Sequence, residues 1–207
     1  MTLPFYHDAQ EQRWGEGGGR TFKGGQYLDA EELDWDFFNW CGVESHTEVL
    51  CSLLEGIDGP ILEVGCGRGN ELQLLYDVGH HDLTGIEIDR RVVNAANEKR
   101  PHLKIKHGSA YKLPFPDKSF DAVFTVGLLI HIRPTEVKQV CKEILRVARK
   151  RVCGLEYWTP EFVQRSNEKT WSGPYTDVYG IPVDVSIRYP MRRNKVGTVE
   201  YFRLEFE

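Results

Sequence analysis

Residues 61–70, Ile61-Leu62-Glu63-Val64-Gly65-Cys66-Gly67-Arg68-Gly69-Asn70, constrain this chain more than any other stretch. A short apolar run, three glycines at alternate positions and a helical pattern that continues to Val78 and stops at Gly79 read as strand, tight turn and helix. A strand over 83–88 completes a βαβ unit. The alternation then continues with a helix over 90–99 ahead of Pro101, a strand over 103–107, a strand over 121–126, a helix over 135–149 and a strand over 151–157. Such a series predicts an α/β fold, a doubly wound and mostly parallel sheet with both faces covered. Two last strands, 183–189 and 199–206, are joined by residues 191–197 and are expected to form an antiparallel hairpin on the sheet edge, making seven strands.

At 207 residues the chain has room for one sizeable core, so the remaining segments read as additions to a single domain. Asp29 with Glu32 opens one helix bearing Leu33, Phe37 and Trp40, and Ser45 with Glu48 opens another bearing Val49, Leu50, Leu53 and Leu54. Before them, Gly15, Gly17, Gly18, Gly19, Gly24 and Gly25 surround Trp14 and Phe22, a composition expected to be mobile without a ligand. Residues 1–60 hold twelve acids against three Lys and Arg, within a net charge of -5. That balance argues against a nucleic-acid partner, which needs a concentrated basic face; Arg188, Arg192, Arg193, Lys195 and Arg203 read as hairpin charges or a small anion site. The longest apolar run, Ala122 to Ile130, is interrupted by Thr125 and Gly127 and falls short of the ~18 residues of a membrane span. No targeting pattern opens the sequence, so a cytoplasmic location is expected. The five cysteines form no C-x-x-C pair and read as reduced, packed thiols, with no metal site.

The glycine turn sits where ligands bind in such sheets, outside the carboxyl end of the first strand. For a dinucleotide the third glycine comes one position early, with Asn70 where it should stand. Glu87, 22 residues after Gly65, lies where a carboxylate can accept from ribose hydroxyls. Together these point to a nucleoside without a diphosphate.

Glu63 to Gly69, an E-x-G-x-G-x-G run, resembles the first motif of the class I S-adenosylmethionine-dependent methyltransferases, whose fold is Rossmann-like. The resemblance covers roughly residues 45–158 and implies S-adenosylmethionine as cofactor. It implies Glu87 on the ribose, Glu63 orienting the methionine part, and Gly65, Cys66, Gly67, Asn70 and Ile88 around it. His107-Gly108-Ser109-Ala110 looks like the adenine turn, with Ser109 where the family usually has Asp, and Val126 closes the fourth strand. The run 113–121, Leu113-Pro114-Phe115-Pro116-Asp117-Lys118-Ser119-Phe120-Asp121, resembles the family's approach to that strand, where Asp117 and Asp121 read as turn and strand-leading residues. More narrowly, Gly127-Leu128-Leu129-Ile130-His131-Ile132 with Glu156-Tyr157 resembles methylases associated with pseudaminic acid and other surface-sugar pathways.

The partition that follows is 1–58 as an N-terminal lid and helices, 59–157 as the cofactor-binding core, 158–182 as the acceptor loop and 183–207 as the C-terminal hairpin. His131 is the first candidate for a base acting on the acceptor and Glu156 the second; His131 also reads as a helix-start residue that only packs or caps. Trp14, Trp158, Trp171 and Tyr175 are candidate acceptor walls, with Tyr179 beside them, or simply packing groups. The chain has no Asn-Pro-Pro-aromatic, Asp-Pro-Pro-aromatic or Pro-Cys segment and no glutamate pair after the fourth strand, leaving a small polar molecule, a sugar hydroxyl or amine, as the expected acceptor. A non-catalytic S-adenosylmethionine-binding module and a nicotinamide-dependent dehydrogenase remain as alternatives; the oligomeric state is not indicated.

Overall fold

The computed structural model describes residues 22–23, 26–27, 46–165, 170–190 and 198–206. The helix expected around Leu33 to Trp40, and Trp14, Cys41, Arg192, Arg193 and Lys195, lie outside the described residues. Near the start, β1 (Phe22–Lys23) pairs antiparallel with β2 (Gln26–Tyr27). Helix α1 (His46–Leu54) follows and buries Leu50, Leu53 and Leu54.

The main sheet is built from β3 (Ile61–Val64), β4 (Leu83–Glu87), β5 (Lys104–His107), β6 (Phe120–Val126), β7 (Ala148–Trp158), β10 (Val185–Pro190) and β11 (Thr198–Glu205). Its seven strands run in the order β10-β11-β7-β6-β3-β4-β5. The five from β5 to β7 are parallel, and β11 lies antiparallel between β7 and the edge strand β10. All four residues of β3 are buried, as the central strand of a sheet covered on both faces requires. The expected mostly parallel, doubly wound sheet with a C-terminal antiparallel hairpin is therefore the observed one.

Helices α2 (Asn70–Asp77), α3 (Arg90–Lys99) and α4 (Val137–Val147) cover the sheet. In α4, Val137, Val140, Cys141, Ile144 and Val147 recur at helical spacing and form one buried stripe, each worth about 1.5–3 kcal/mol against exposure for the larger side chains. The Asp89 carboxylate caps α3 by accepting from the Arg91 N–H at 2.9 Å. Arg146 of α4 donates to the carbonyls of Leu113 and Phe115 and pairs with Asp117, so the proline-rich approach to β6 is held by one guanidinium. Asp121 pairs with Arg149 and Lys150, and Arg188 and Arg203 pair with Glu200 and Asp184.

Several element ends differ from the expected ones by one to three residues, and two differences stand out. Helix α4 ends at Val147 rather than at residue 149, because the chain passes directly into β7 at Ala148. The stretch after β7, expected as a loop, contains a hairpin of β8 (Val163–Gln164) and β9 (Trp171–Ser172) and the short helix α5 (Tyr175–Tyr179). It is fastened by the Arg165 N–H on the Thr170 carbonyl at 2.8 Å and the Gly173 N–H on the Tyr157 carbonyl at 3.2 Å.

Candidate functional site

The carboxyl ends of β3, β4, β5 and β6 and the turns that follow them surround a cavity of about 220 Å³. Its walls are the glycine turn at Gly65 and Gly67, the segment Ile86 to Ile88, the turn from Gly108 to Tyr111, and the turn carrying Gly127, Leu128, His131 and Ile132. This is the crevice where an open parallel sheet binds its ligand.

The glycine turn is tied to β4, since the Gly65 and Cys66 N–H groups both donate to the Ile86 carbonyl, at 2.8 and 3.1 Å. Gly65 has φ of 77°, and a Cβ there would come within 2.7 Å of the Leu128 side chain. Only glycine suits both demands. Gly67 differs: its φ is 52°, and nothing lies within 4 Å of where its Cβ would be. That side faces the cavity, and the Gly67 N–H donates to Glu87 Oε2 at 3.0 Å.

Glu87 closes β4, and its other oxygen accepts from the Asp89 N–H at 2.9 Å. Burial raises its pKa, while the backbone donors of Asp89, Gly67 and Ile88 work against that rise. Glu63 is 1% exposed, and burial, followed by the charges of Glu71 and Glu87, holds its carboxyl well above the usual range. Among the described residues its Oε2 has no hydrogen-bond partner. Carboxylates gathered behind a cavity with one oxygen unpaired are electrostatically suited to a cationic ligand, such as one bearing a sulfonium and an ammonium.

The adenine-turn candidates Ser109 and Ala110 line the cavity, as does Ile88. Ser109 Oγ accepts from the Tyr111 N–H at 3.3 Å, so the hydroxyl shapes its own turn. Cys66 is buried beside Gly85 and does not line the cavity; burial pushes its thiol pKa well up. Asn70 faces away as well, its Oδ1 accepting from Arg100 at 2.8 Å while Arg100 also donates to the Arg68 carbonyl at 2.9 Å. Val126 ends β6 short of the cavity, and Gly127 takes the wall position instead.

His131 ends the 3₁₀ turn Leu129–His131 and lines the cavity. Glu156 does not line it. It is 1% exposed, its Oε1 accepts from the Leu128 N–H and its Oε2 from the Leu129 N–H, both at 3.1 Å. Burial raises its pKa to about 7 against the opposing pull of those backbone donors. With both oxygens engaged by backbone donors inside the protein, Glu156 lies behind the turn rather than on the cavity wall where a second base was expected.

Of the aromatic candidates, the described ones, Trp158, Trp171, Tyr175 and Tyr179, do not line the cavity either. The Arg188 guanidinium lies 3.8 Å above the Trp158 ring, the Trp171 carbonyl accepts from the Tyr175 hydroxyl at 3.0 Å, and Tyr175 and Tyr179 are buried. They are packing groups around β9, which lies against the 3₁₀ turn. Tyr111, Leu128 and Ile132 belong to the wall without having been singled out, although each adjoins or lies within a segment that was; Arg100 carries no sequence signal, because its hold on the glycine turn is purely tertiary.

Residues 62–152 match a family model described as a methyltransferase domain. A mouse protein named eEF1A lysine and N-terminal methyltransferase is 30% identical over 131 residues, which are 58% of this chain and 18% of that one. A sterol 24-C-methyltransferase of Gibberella zeae is 35% identical over 95 residues, 43% of this chain and 24% of the enzyme. The chain thus spans less than a quarter of either relative's length. Among solved structures, magnesium protoporphyrin IX methyltransferase from Synechocystis PCC 6803, with bound S-adenosylmethionine, superposes with a TM-score of 0.69 over 97% of both chains at 15% identity. At that identity the likeness is one of fold.

Proposed function

We propose that this chain, whose residues 62–152 match a methyltransferase-domain model, acts as a class I S-adenosylmethionine-dependent methyltransferase and transfers the methyl group of S-adenosylmethionine to a small polar acceptor, a hydroxyl or amine of a sugar or related metabolite. The observation that carries the reading is the cavity itself, which puts Gly67, Glu87, the Gly108 to Tyr111 turn and His131 on one wall system.

In this reading Glu87 accepts from the ribose hydroxyls while its existing bonds to Gly67 and Asp89 hold the carboxylate still. The turn at Ser109 and Ala110 receives the adenine, and Glu63, buried outside the cavity wall, acts on the cationic methionine end through its charge rather than by lining the cavity. When bound, the cofactor supplies a methyl carbon already activated by its sulfonium. The protein's own tasks are then to align the acceptor, which a closed site rewards strongly, and to hold its proton. His131 is the residue on the wall assigned that second task, and a positioned general base contributes about 10² to 10⁴-fold. The relatives' names cover protein amines and a sterol carbon, so the acceptor is argued from the sequence alone, and the surface-sugar class remains part of this proposal.

The test has two stages. Calorimetry with S-adenosylhomocysteine reads cofactor binding; then labelled-methyl uptake is screened over nucleotide sugars, free sugars and lysine peptides. Uptake by sugars supports the reading, uptake by peptides alone overturns its acceptor, and binding with no uptake anywhere favours a non-catalytic module. Once an acceptor is found, His131→Ala should lower the single-turnover rate at least a hundredfold with the melting temperature and cofactor Kd near wild type. A joint fall of all three would make His131 a packing residue.

A further inference from the structure

The turn that carries His131 is built with few bonds of its own. Inside it, the His131 N–H donates to the Leu128 carbonyl at 2.9 Å and the Ile132 N–H to the Leu129 carbonyl at 3.0 Å. These leave the first two N–H groups of the turn, those of Leu128 and Leu129, pointing back into the protein. A single side chain from the neighbouring strand, Glu156, takes both, one on each oxygen, from 27 and 28 residues away in sequence. Leu128 in turn is the side chain that Gly65 must approach without a Cβ, so the same turn forms the surface against which the glycine turn rests.

We propose that Glu156 is a positioning residue: its buried carboxylate sets the place of the Gly127 to Ile132 wall, and through it both the His131 side chain and the seat of the glycine turn. The proposal rests on the methyltransferase reading above, because it assigns the wall to cofactor and acceptor. A carboxylate suits the task where a neutral group does not. The Leu128 and Leu129 N–H groups each meet one of its oxygens, with the Ile130 N–H and the Thr125 hydroxyl beside them, and a carboxylate offers acceptor lone pairs to all, whereas an amide would offer one oxygen and set an N–H against a donor. The surroundings isolate it. Cys141 from α4 and Tyr175 and Tyr179 from α5 face Glu156, all pushed upward in pKa by burial, and Glu200 of β11 sits beside it in register. Glu200 is engaged elsewhere, by Thr176, Ser186 and Arg188. Burial holds the Glu156 carboxyl near neutrality, at about 7, so its charge, and with it the pairing of the turn, changes over an accessible pH range.

The experiment uses the full chain and amide spectroscopy with S-adenosylhomocysteine titration. In wild type, the Leu128 and Leu129 amide shifts should move together with an inflection near pH 7. In Glu156→Gln that common inflection should vanish, one or both amides should exchange with solvent tenfold or more faster at pH 8, and S-adenosylhomocysteine should bind about tenfold more weakly. Exchange at Ile105 in β5 should stay as in wild type, and a general loss of protection there overturns positioning in favour of a merely structural role. Equal protection and affinity in the two proteins overturn it outright. If Glu156→Gln does not fold, Glu156→Asp serves in its place: a carboxylate drawn back from the turn should speed exchange at both amides together, and wild-type protection at both overturns the proposal. Wild type that fails to bind S-adenosylhomocysteine brings down the underlying reading, a result separate from any effect of the substitution.

Discussion

Replacing Glu87 by alanine separates a residue that binds ligand from one that only holds a turn. In the protein alone, the carboxylate accepts the N–H groups of Gly67 and Asp89 at 3.0 and 2.9 Å. Asp89 is 2% exposed, so its N–H loses its acceptor with no easy replacement, at about 1–3 kcal/mol, while the Gly67 N–H borders the cavity and can turn to water. Removing a carboxylate whose pKa burial has raised returns part of that loss. The net expectation is about 1–2 kcal/mol, a Tm lower by roughly 3–6 °C in a protein of this size. The two ribose hydroxyls add a separate loss on binding, about 1.5–3 kcal/mol for bonds to a charged acceptor, which weakens S-adenosylhomocysteine by roughly tenfold to a hundredfold. Glu87→Gln keeps the volume and one acceptor, so its Tm should fall less while its Kd still rises about tenfold. Scanning fluorimetry gives the first quantity and titration calorimetry the second. An alanine variant with the expected drop in Tm and a Kd within twofold of wild type would refute the ribose assignment while leaving the turn's energetics intact.

Three further outcomes follow from the same contacts. Gly65→Ala should destabilise the fold by about 1–3 kcal/mol in urea unfolding, because it combines positive φ with a collision on Leu128, whereas Gly67→Ala should cost only about 1 kcal/mol and act chiefly on S-adenosylhomocysteine affinity. Arg151→Met should lower stability by about 2–3 kcal/mol, since the buried guanidinium caps the carbonyls of Leu53 and Glu55 and pairs with Glu205; an unchanged urea midpoint would contradict this. The folded Glu156 carboxyl, with a pKa near 7 against an ordinary 4.5, holds its proton more tightly than the unfolded chain does, so its contribution to stability falls as pH rises from about 4.5 to 7, by about 3 kcal/mol in all. Glu63 and Glu87 act in the same direction, and Glu156→Gln should remove its own share of the slope in urea midpoints measured from pH 4.5 to 8.

The parts legible in the sequence were those whose signal is local. β3 is buried throughout and apolar except for Glu63 because both of its faces are covered, and α4 shows its stripe because one face is. Glu87 and the glycines could be located because the strand–turn–helix geometry fixes where their atoms stand. The two-residue strands β8 and β9 and the five-residue α5 are too short to show a period, and are held by bonds to β7 and to one another. Asn70 and Val126 were drawn to the site by adjacency in sequence, yet one is turned toward Arg100 and the other stops a residue short of the wall. Glu156 shows the limit most clearly. Its type and its strand-end position suggest an acid or base, and only the three-dimensional pairing with Leu128 and Leu129 reveals that its oxygens are taken.

The insertion of β11 between β7 and β10 has a consequence for how the chain is made. β7 runs from Ala148 to Trp158, and its partner on one side, β6, is already present when it emerges during synthesis. Its other side is paired by β11 at eight positions, Thr198 to Glu205, some 50 residues later. Until those residues leave the ribosome, the long strand at the heart of the finished sheet is an open edge, and Arg151 has no carboxylate to meet. The nascent chain therefore passes through a stage in which its cofactor-binding strands are complete but its most adhesive backbone is bare, the stage at which a chaperone has most to shield.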